Sequence, residues 1–181
     1  MREEYAIVLD FLPNGYPFDK RPSHRKSPIA QALGKKQFVL LELVPKKDVT
    51  LQPGEVVYIG EGKRDMIHHI SGKLEVDKLT ATAHAELEYT IKELVEADEP
   101  RFVEFFNVSR PLSTRMHQLE LLPGLGKKHM WEIIEKRDEK KFESFKDLRD
   151  RVKLMPDPKK VIVKRILSEV SGNEKYKLFS E

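Results

Sequence analysis

The stretch covering residues 119–134 constrains this chain more than any other part of it. Leu119, Leu122, Gly124, Leu125 and Gly126 spell apolar, two spacers, apolar, spacer, Gly, apolar, Gly, and the apolar pair Ile133 and Ile134 follows. Glycine at 124 and 126 permits positive φ and close backbone approach, so the pattern predicts a tight turn between two helical segments. Leu125 anchors that turn in the core, and the next helix opens with unpaired backbone amides facing outward. A phosphate suits such a place, drawn by the positive end of the helix dipole. Lys127 and Lys128 fall in the first turn, where they oppose the dipole but match a bound anion. Gly124, Leu125, Gly126, Lys127 and Lys128 are therefore the first candidate binding residues.

The pattern resembles the helix-hairpin-helix family. One position departs from it: the small residue usual four places after the second glycine is here Met130, and a larger side chain there splays the two helices. Sliding the pattern along the chain finds it again thirty-three residues later. Val152, Met155, Pro156, Pro158, Ile166 and Leu167 then stand where Leu119, Leu122, Pro123, Leu125, Ile133 and Ile134 stood, with Asp157 and Lys159 in place of the glycines. The second copy keeps the packing but brings an acid to where a phosphate would approach, so its expected role is structural. Paired hairpins of this family grip nucleic-acid backbones without reading sequence, which is what the resemblance implies here. Around the first copy, Ser113 is read as capping a helix that runs to Leu121. Ser144 with Asp147 reads as a capping box for a third helix ending near Leu154, and a fourth should run from the Pro156-Asp157-Pro158 turn to about Val170.

The first half reads differently. Residues 5–11 and 37–44 are rich in Val, Ile, Leu and Phe and end in turn chemistry, Pro13-Asn14-Gly15 and Pro45-Lys46-Lys47-Asp48, so both are expected as core strands. Further strands are expected at 56–59 and around Met66, Ile67 and Ile70. Residues 80–97 carry Leu87, Ile91, Leu94 and Val95 at helical spacing among glutamates, an amphipathic helix whose acidic face suits a structural role. Phe102, Val103, Phe105, Phe106 and Val108 in 101–108 predict a fifth strand, apolar on both faces, and no strand is expected after Pro111. The segment 20–36 holds six cations and no acid, with Pro22, Pro28 and Gly34, and is read as one long exposed loop.

This order gives an α+β protein: an N-terminal OB-like five-stranded β-barrel with an inserted helix over 1–110, then an all-α helix-hairpin-helix domain over 111–181. The barrel half resembles modules that bind single strands with basic grooves and aromatic platforms. Its candidate contacts are Arg21, Arg25, Lys26, Lys35, Lys36, Lys63 and Arg64, with Tyr58, Tyr16 and Phe18 as stacking candidates. Taken whole, with the joining segment Arg115-Met116-His117-Gln118 in view, the chain resembles a family of uncharacterised archaeal proteins described as RNA-binding. That resemblance implies a nucleic-acid partner, RNA before DNA.

Composition narrows the remaining classes. A net charge of +3 announces no global basic field, so any nucleic-acid surface must be local. The absence of Cys removes disulfides, thiolate zinc sites and cysteine nucleophiles. The longest apolar run is far short of a bilayer span and no signal-peptide core is visible, so a cytoplasmic protein without a membrane partner is expected. None of the six His forms a ligand pair with carboxylates, and adjacent His68 and His69 should point to opposite faces of a strand. No phosphate-loop or nucleophile-elbow signature occurs, and Asp147 is explained as a cap rather than as the catalytic acid of a hairpin-containing glycosylase. The reading is a non-enzyme without metal or cofactor; the alternative is a protein-interaction adaptor within a translation or DNA-repair assembly.

Overall fold

The computed structural model describes residues 2–181. The chain forms two compact units: one runs to Thr90 and takes back Glu169–Glu181, and the other is Ile91–Ser168.

The first unit is a curled antiparallel sheet of five strands: β1 (Tyr5–Leu12), β2 (Ile29–Gly34), β3 (Leu40–Pro45), β4 (Val56–Tyr58) and β5 (Ile67–Lys73), in the order β4-β1-β2-β3-β5. Ala6, Val8, Ala30, Ala32, Leu41, Leu43, Val57 and Ile67 bury its inner face. Bulges bend the strands. In β1, Val8 pairs Ala32 and Asp10 pairs Gln31, so Leu9 is an extra residue and both Val8 and Leu9 are buried. In β5, His69 pairs Val44 and Ile67 pairs Pro45, which leaves His68 unpaired. The two histidines therefore do not point apart as a regular strand would require: their Nδ1 atoms are 2.8 Å from one another.

Across three strands, Asp10, Gln31 and Glu42 lie side by side on the opposite face. Gln31 is fully buried and satisfied: its amide donates to the Lys78 carbonyl at 2.9 Å and to the Tyr16 hydroxyl at 3.2 Å, while its oxygen accepts from Thr80 N at 2.8 Å. Thr80 in turn donates to Asp10 at 2.6 Å and accepts from Ala83 N, capping α1 (Ala81–Ala97). This polar row fixes where the first helix begins. At the other end of the unit, the carboxylate of fully buried Glu169 accepts from the amides of Leu178, Phe179 and Ser180 at 2.7, 3.0 and 2.9 Å. The Glu181 amide adds a bond to the Gln37 carbonyl at 3.1 Å.

Three expectations fail here. Residues 29–34 are not part of an exposed loop but the central strand β2, in which residues 30–34 are all buried. Small residues fit a strand covered on both faces, and its burial overrides the loop signals around it. Residues 101–108 lie in a helix, α2 (Glu99–Val108), not in a fifth strand. Phe102, Val103 and Phe106 are buried while Arg101, Glu104 and Val108 are exposed, a helical stripe, and Glu99 with Pro100 makes a favourable first turn. The fold thus remains mixed α+β, but all five strands of the sheet precede α1, and no α-helix is inserted before the last of them.

The second unit follows α2 with a short hairpin, β6 (Pro111–Ser113) and β7 (Met116–His117), where no strand was expected. Ser113 is consequently a strand residue; the helical turn before the glycines is a single 3-10 turn over Gln118–Leu121. Then come α3 (Lys127–Glu139), α4 (Phe145–Arg151) and α5 (Pro158–Val170). Ser144 caps α4 as expected, accepting from Asp147 N at 2.9 Å. Phe102, Phe106, Leu119, Leu122, Ile133, Leu148, Ile162 and Ile166 are among the buried apolar side chains of this unit. Among the described residues no helix is long and apolar enough to cross a membrane.

Candidate functional site

The first turn is built from both sides. His117 caps the 3-10 turn, its Nδ1 accepting from Leu119 N at 3.1 Å, while Glu120 accepts from His117 N at 2.7 Å. Burial pushes the His117 pKa down, helped by the charge of Arg137, so the ring is held in the neutral form that can accept. Arg165, buried on α5, donates to the Leu121 carbonyl at 3.0 Å and satisfies the end of that turn. Gly124 then takes φ 82°, Leu125 is buried, and α3 starts directly after Gly126. The left-handed backbone at 124 favours glycine; its nearest neighbour is Pro156, 3.8 Å from where a Cβ would stand.

At the start of α3 the Gly126 amide donates to Nδ1 of His129 at 3.3 Å, and Nε2 of the same ring meets the Leu154 carbonyl at 3.1 Å. The amides of Lys127 and Lys128 have no partner among the described residues, no acid lies in this first turn, and both lysine side chains are exposed. All five hairpin candidates are thus brought to one place, with the lysine amides rather than that of Gly126 left open.

The second turn matches the first in path but not in the expected alignment. Leu154, with φ 53°, occupies the left-handed position that Gly124 holds, thirty residues apart rather than thirty-three. Asp157 does not replace a glycine in the turn; it caps α5, its Oδ1 accepting from Lys159 N at 3.0 Å. Pro158 opens the helix and has no N–H to offer. Lys159 is committed to Glu96 at 2.7 Å.

The barrel candidates are dispersed. Arg21 is exposed and pairs with Asp19 at 2.6 Å, which holds the Asp19 pKa near 2 through hydrogen bonds from Arg21. Arg25 sits in a 3-10 turn over Ser23–Arg25 and Lys26 follows it, whereas Lys35 and Lys36 occupy the β2–β3 turn. Lys36, Arg64 and Tyr58 line a concavity of about 890 Å³ in the sheet unit, but Glu3, Glu4, Glu61 and Glu181 line it too. Glu3 accepts from the Lys36 amide at 2.8 Å and Arg2 pairs with Glu61, so this surface balances its own charge. Lys63 is exposed outside the concavity. Tyr16 hydrogen-bonds Glu42 at 2.6 Å, and burial with that bond pushes its pKa to about 12; Phe18 stacks on it at 4.9 Å between centroids.

One group was not found from sequence. Trp131, the lone Trp of the chain, is 63% exposed on α3 and lines a groove of about 740 Å³ with Lys127 and the β6–β7 hairpin. The available signal was its place off the buried stripe of Met130 and Ile133, where an apolar residue has no packing reason to be.

Sheet and helices together define a mixed α+β protein of two units. Residues 2–181 match the family described as protein of unknown function (DUF655), and the chain belongs to that family. It is 49% identical over 177 residues to the uncharacterized protein MJ0038 of Methanocaldococcus jannaschii, covering 98% of this chain and 78% of that one. The crystal structure of Af1531 from Archaeoglobus fulgidus is similar with a TM-score of 0.89 and 48% identity, over 99% of this chain and all of that one. The expected likeness to a family of uncharacterised archaeal proteins therefore holds at the level of the family.

Proposed function

We propose that this protein binds nucleic acid, RNA in preference to DNA, by gripping the phosphate backbone through a helix-hairpin-helix motif at Gly124-Leu125-Gly126-Lys127-Lys128. The observation that carries this reading is the start of α3: two unpartnered amides, two exposed lysines and no acid, behind a turn whose left-handed backbone favours glycine. Backbone contacts of this kind carry no sequence information, so binding is largely sequence-independent and non-enzymatic. The curled sheet is read as an OB-like partner module, in which Lys36 and Arg64 share their concavity with four glutamates and add little to the grip.

The test is binding to single-stranded RNA, double-stranded RNA and duplex DNA over a salt series. A log-log slope of about −2 to −4, flattened in Gly124→Asp, corresponds to a few neutralised phosphates. Asp at this left-handed position carries strain of about 1–2 kcal/mol but meets no atom closer than Pro156, so only lost affinity with retained helix by circular dichroism counts for the reading. Unchanged affinity in Gly124→Asp, or no binding to any of the three, removes this reading; in the second case the adaptor alternative gains.

A further inference from the structure

We propose that the groove between the β6–β7 hairpin and α3 accepts an unstacked nucleobase against Trp131, which makes the ligand a single strand. This rests on the phosphate reading above and adds the class of polymer.

An indole 63% exposed leaves a large apolar face in water, and among the described residues no ring or cation contact covers it. Lys127 lies one helical turn before Trp131, about 6 Å along the axis, and both line the same groove. A phosphate held at the start of α3 therefore puts its own base within reach of the indole. Met116, Met130 and Ile134 give the groove an apolar lining beside the indole, as a base face requires. The same lining carries positive charge: the Arg115 guanidinium and the Lys127 ammonium have no partner among the described residues, whereas the acid there, Glu120, is engaged by the His117 amide at 2.7 Å. An acidic or purely apolar occupant fits this combination less well than a base carrying its phosphate. In a duplex the bases are stacked inside the helix and cannot reach Trp131; in a single strand every base has a face to offer.

Because the chain has one Trp, its emission reports on this groove alone. The experiment titrates the full chain with an end-labelled twelve-nucleotide oligouridylate and with a labelled RNA duplex of equal length, reading label anisotropy and Trp emission together. Expected are quenching of Trp131 by the single strand only, no quenching by inorganic phosphate at equal ionic strength, and affinity for the single strand about five- to a hundredfold lower in Trp131→Ala. Trp131→Phe should retain most of that affinity. Being exposed, position 131 tolerates both changes without loss of helix, which circular dichroism checks. Salt-dependent binding with unchanged Trp emission and unchanged affinity in Trp131→Ala overturns the base-stacking proposal and leaves the phosphate reading standing. Absence of binding to either polymer overturns both.

Discussion

The two turns of the helical unit are joined by His129, which takes the Gly126 amide on one nitrogen and the Leu154 carbonyl on the other, yet they present opposite surfaces. At the first, the helix that follows opens on glycine and two lysines with its amides free. At the second, Asp157 supplies its own carboxylate to α5 and Pro158 removes a donor. A helix start can either be sealed by its own chain or left for a ligand, and this unit contains one of each. Sealing adds stability; leaving it open forgoes about 1 kcal/mol of capping in exchange for a site.

The comparison breaks most directly if the first turn is given the chemistry of the second. Gly126 has φ −93° and open space around it, so Gly126→Asp introduces a strain-free cap. Affinity for single-stranded RNA should fall about tenfold or more, as a carboxylate replaces phosphate on the amides, while the thermal midpoint does not drop. Anisotropy and calorimetry on the same preparation decide it; lower stability with intact binding would reverse the assignment of the two turns. The converse change, Asp157→Ala, should cost about 1 kcal/mol in denaturant unfolding and create little affinity, because it frees only the Lys159 amide, Pro158 still lacks a donor and the Lys159 ammonium stays paired with Glu96. A smaller gain is expected from Leu154→Gly. Leu154 is 93% exposed, so little contact is lost; relief of about 1–2 kcal/mol of left-handed strain is partly offset by about 0.5–1 kcal/mol of glycine entropy. A net increase near 0.5 kcal/mol in chemical unfolding should result.

The smallest effect is electrostatic. The His117 ring caps the 3-10 turn only when neutral, and its pKa in the folded chain lies below the ordinary value of about 6.5. Its contribution is therefore present above that value and is lost as pH falls through the folded pKa. The thermal midpoint should decline more between about pH 7 and pH 5 in the wild type than in His117→Asn, where the cap does not titrate. An equal decline in both proteins would show that the turn owes nothing to this ring.

How much of this could be read in the sequence depended on whether local signals and burial agree. The first turn was legible residue by residue, because glycine spacing, apolar anchors and the lysines all lie within a few positions. The starts of α1, α4 and α5 were legible for the same reason, through Thr80, Ser144 and Pro158, whereas α4 stops at Arg151 rather than near Leu154. Strand β2 was hidden because Ala30, Ala32 and Gly34 have little strand propensity, and only pairing with β1 and β3 makes them a strand. α2 was misread because aromatic density outweighed the helical spacing of Phe102, Val103 and Phe106. The alignment of the second turn failed by three residues because apolar identity was matched, whereas the quantity that defines the turn is the sign of φ at Leu154. Beyond its place off the buried stripe, Trp131 carries no local signal of a site, because a groove made with β6–β7 exists only once that hairpin has folded.

The buried carboxylate of Glu169 carries a consequence for hydrogen exchange. Residues 178–180 belong to no helix or strand, yet three of their successive amides share one acceptor group that has no water to fall back on. Freeing any one of them forfeits a hydrogen bond to a buried acceptor while the others hold the segment in place, so they resist fraying singly. Leu178, Phe179 and Ser180 should therefore exchange as one cooperative set, at the rate of the last turn of α5 rather than at that of a chain end.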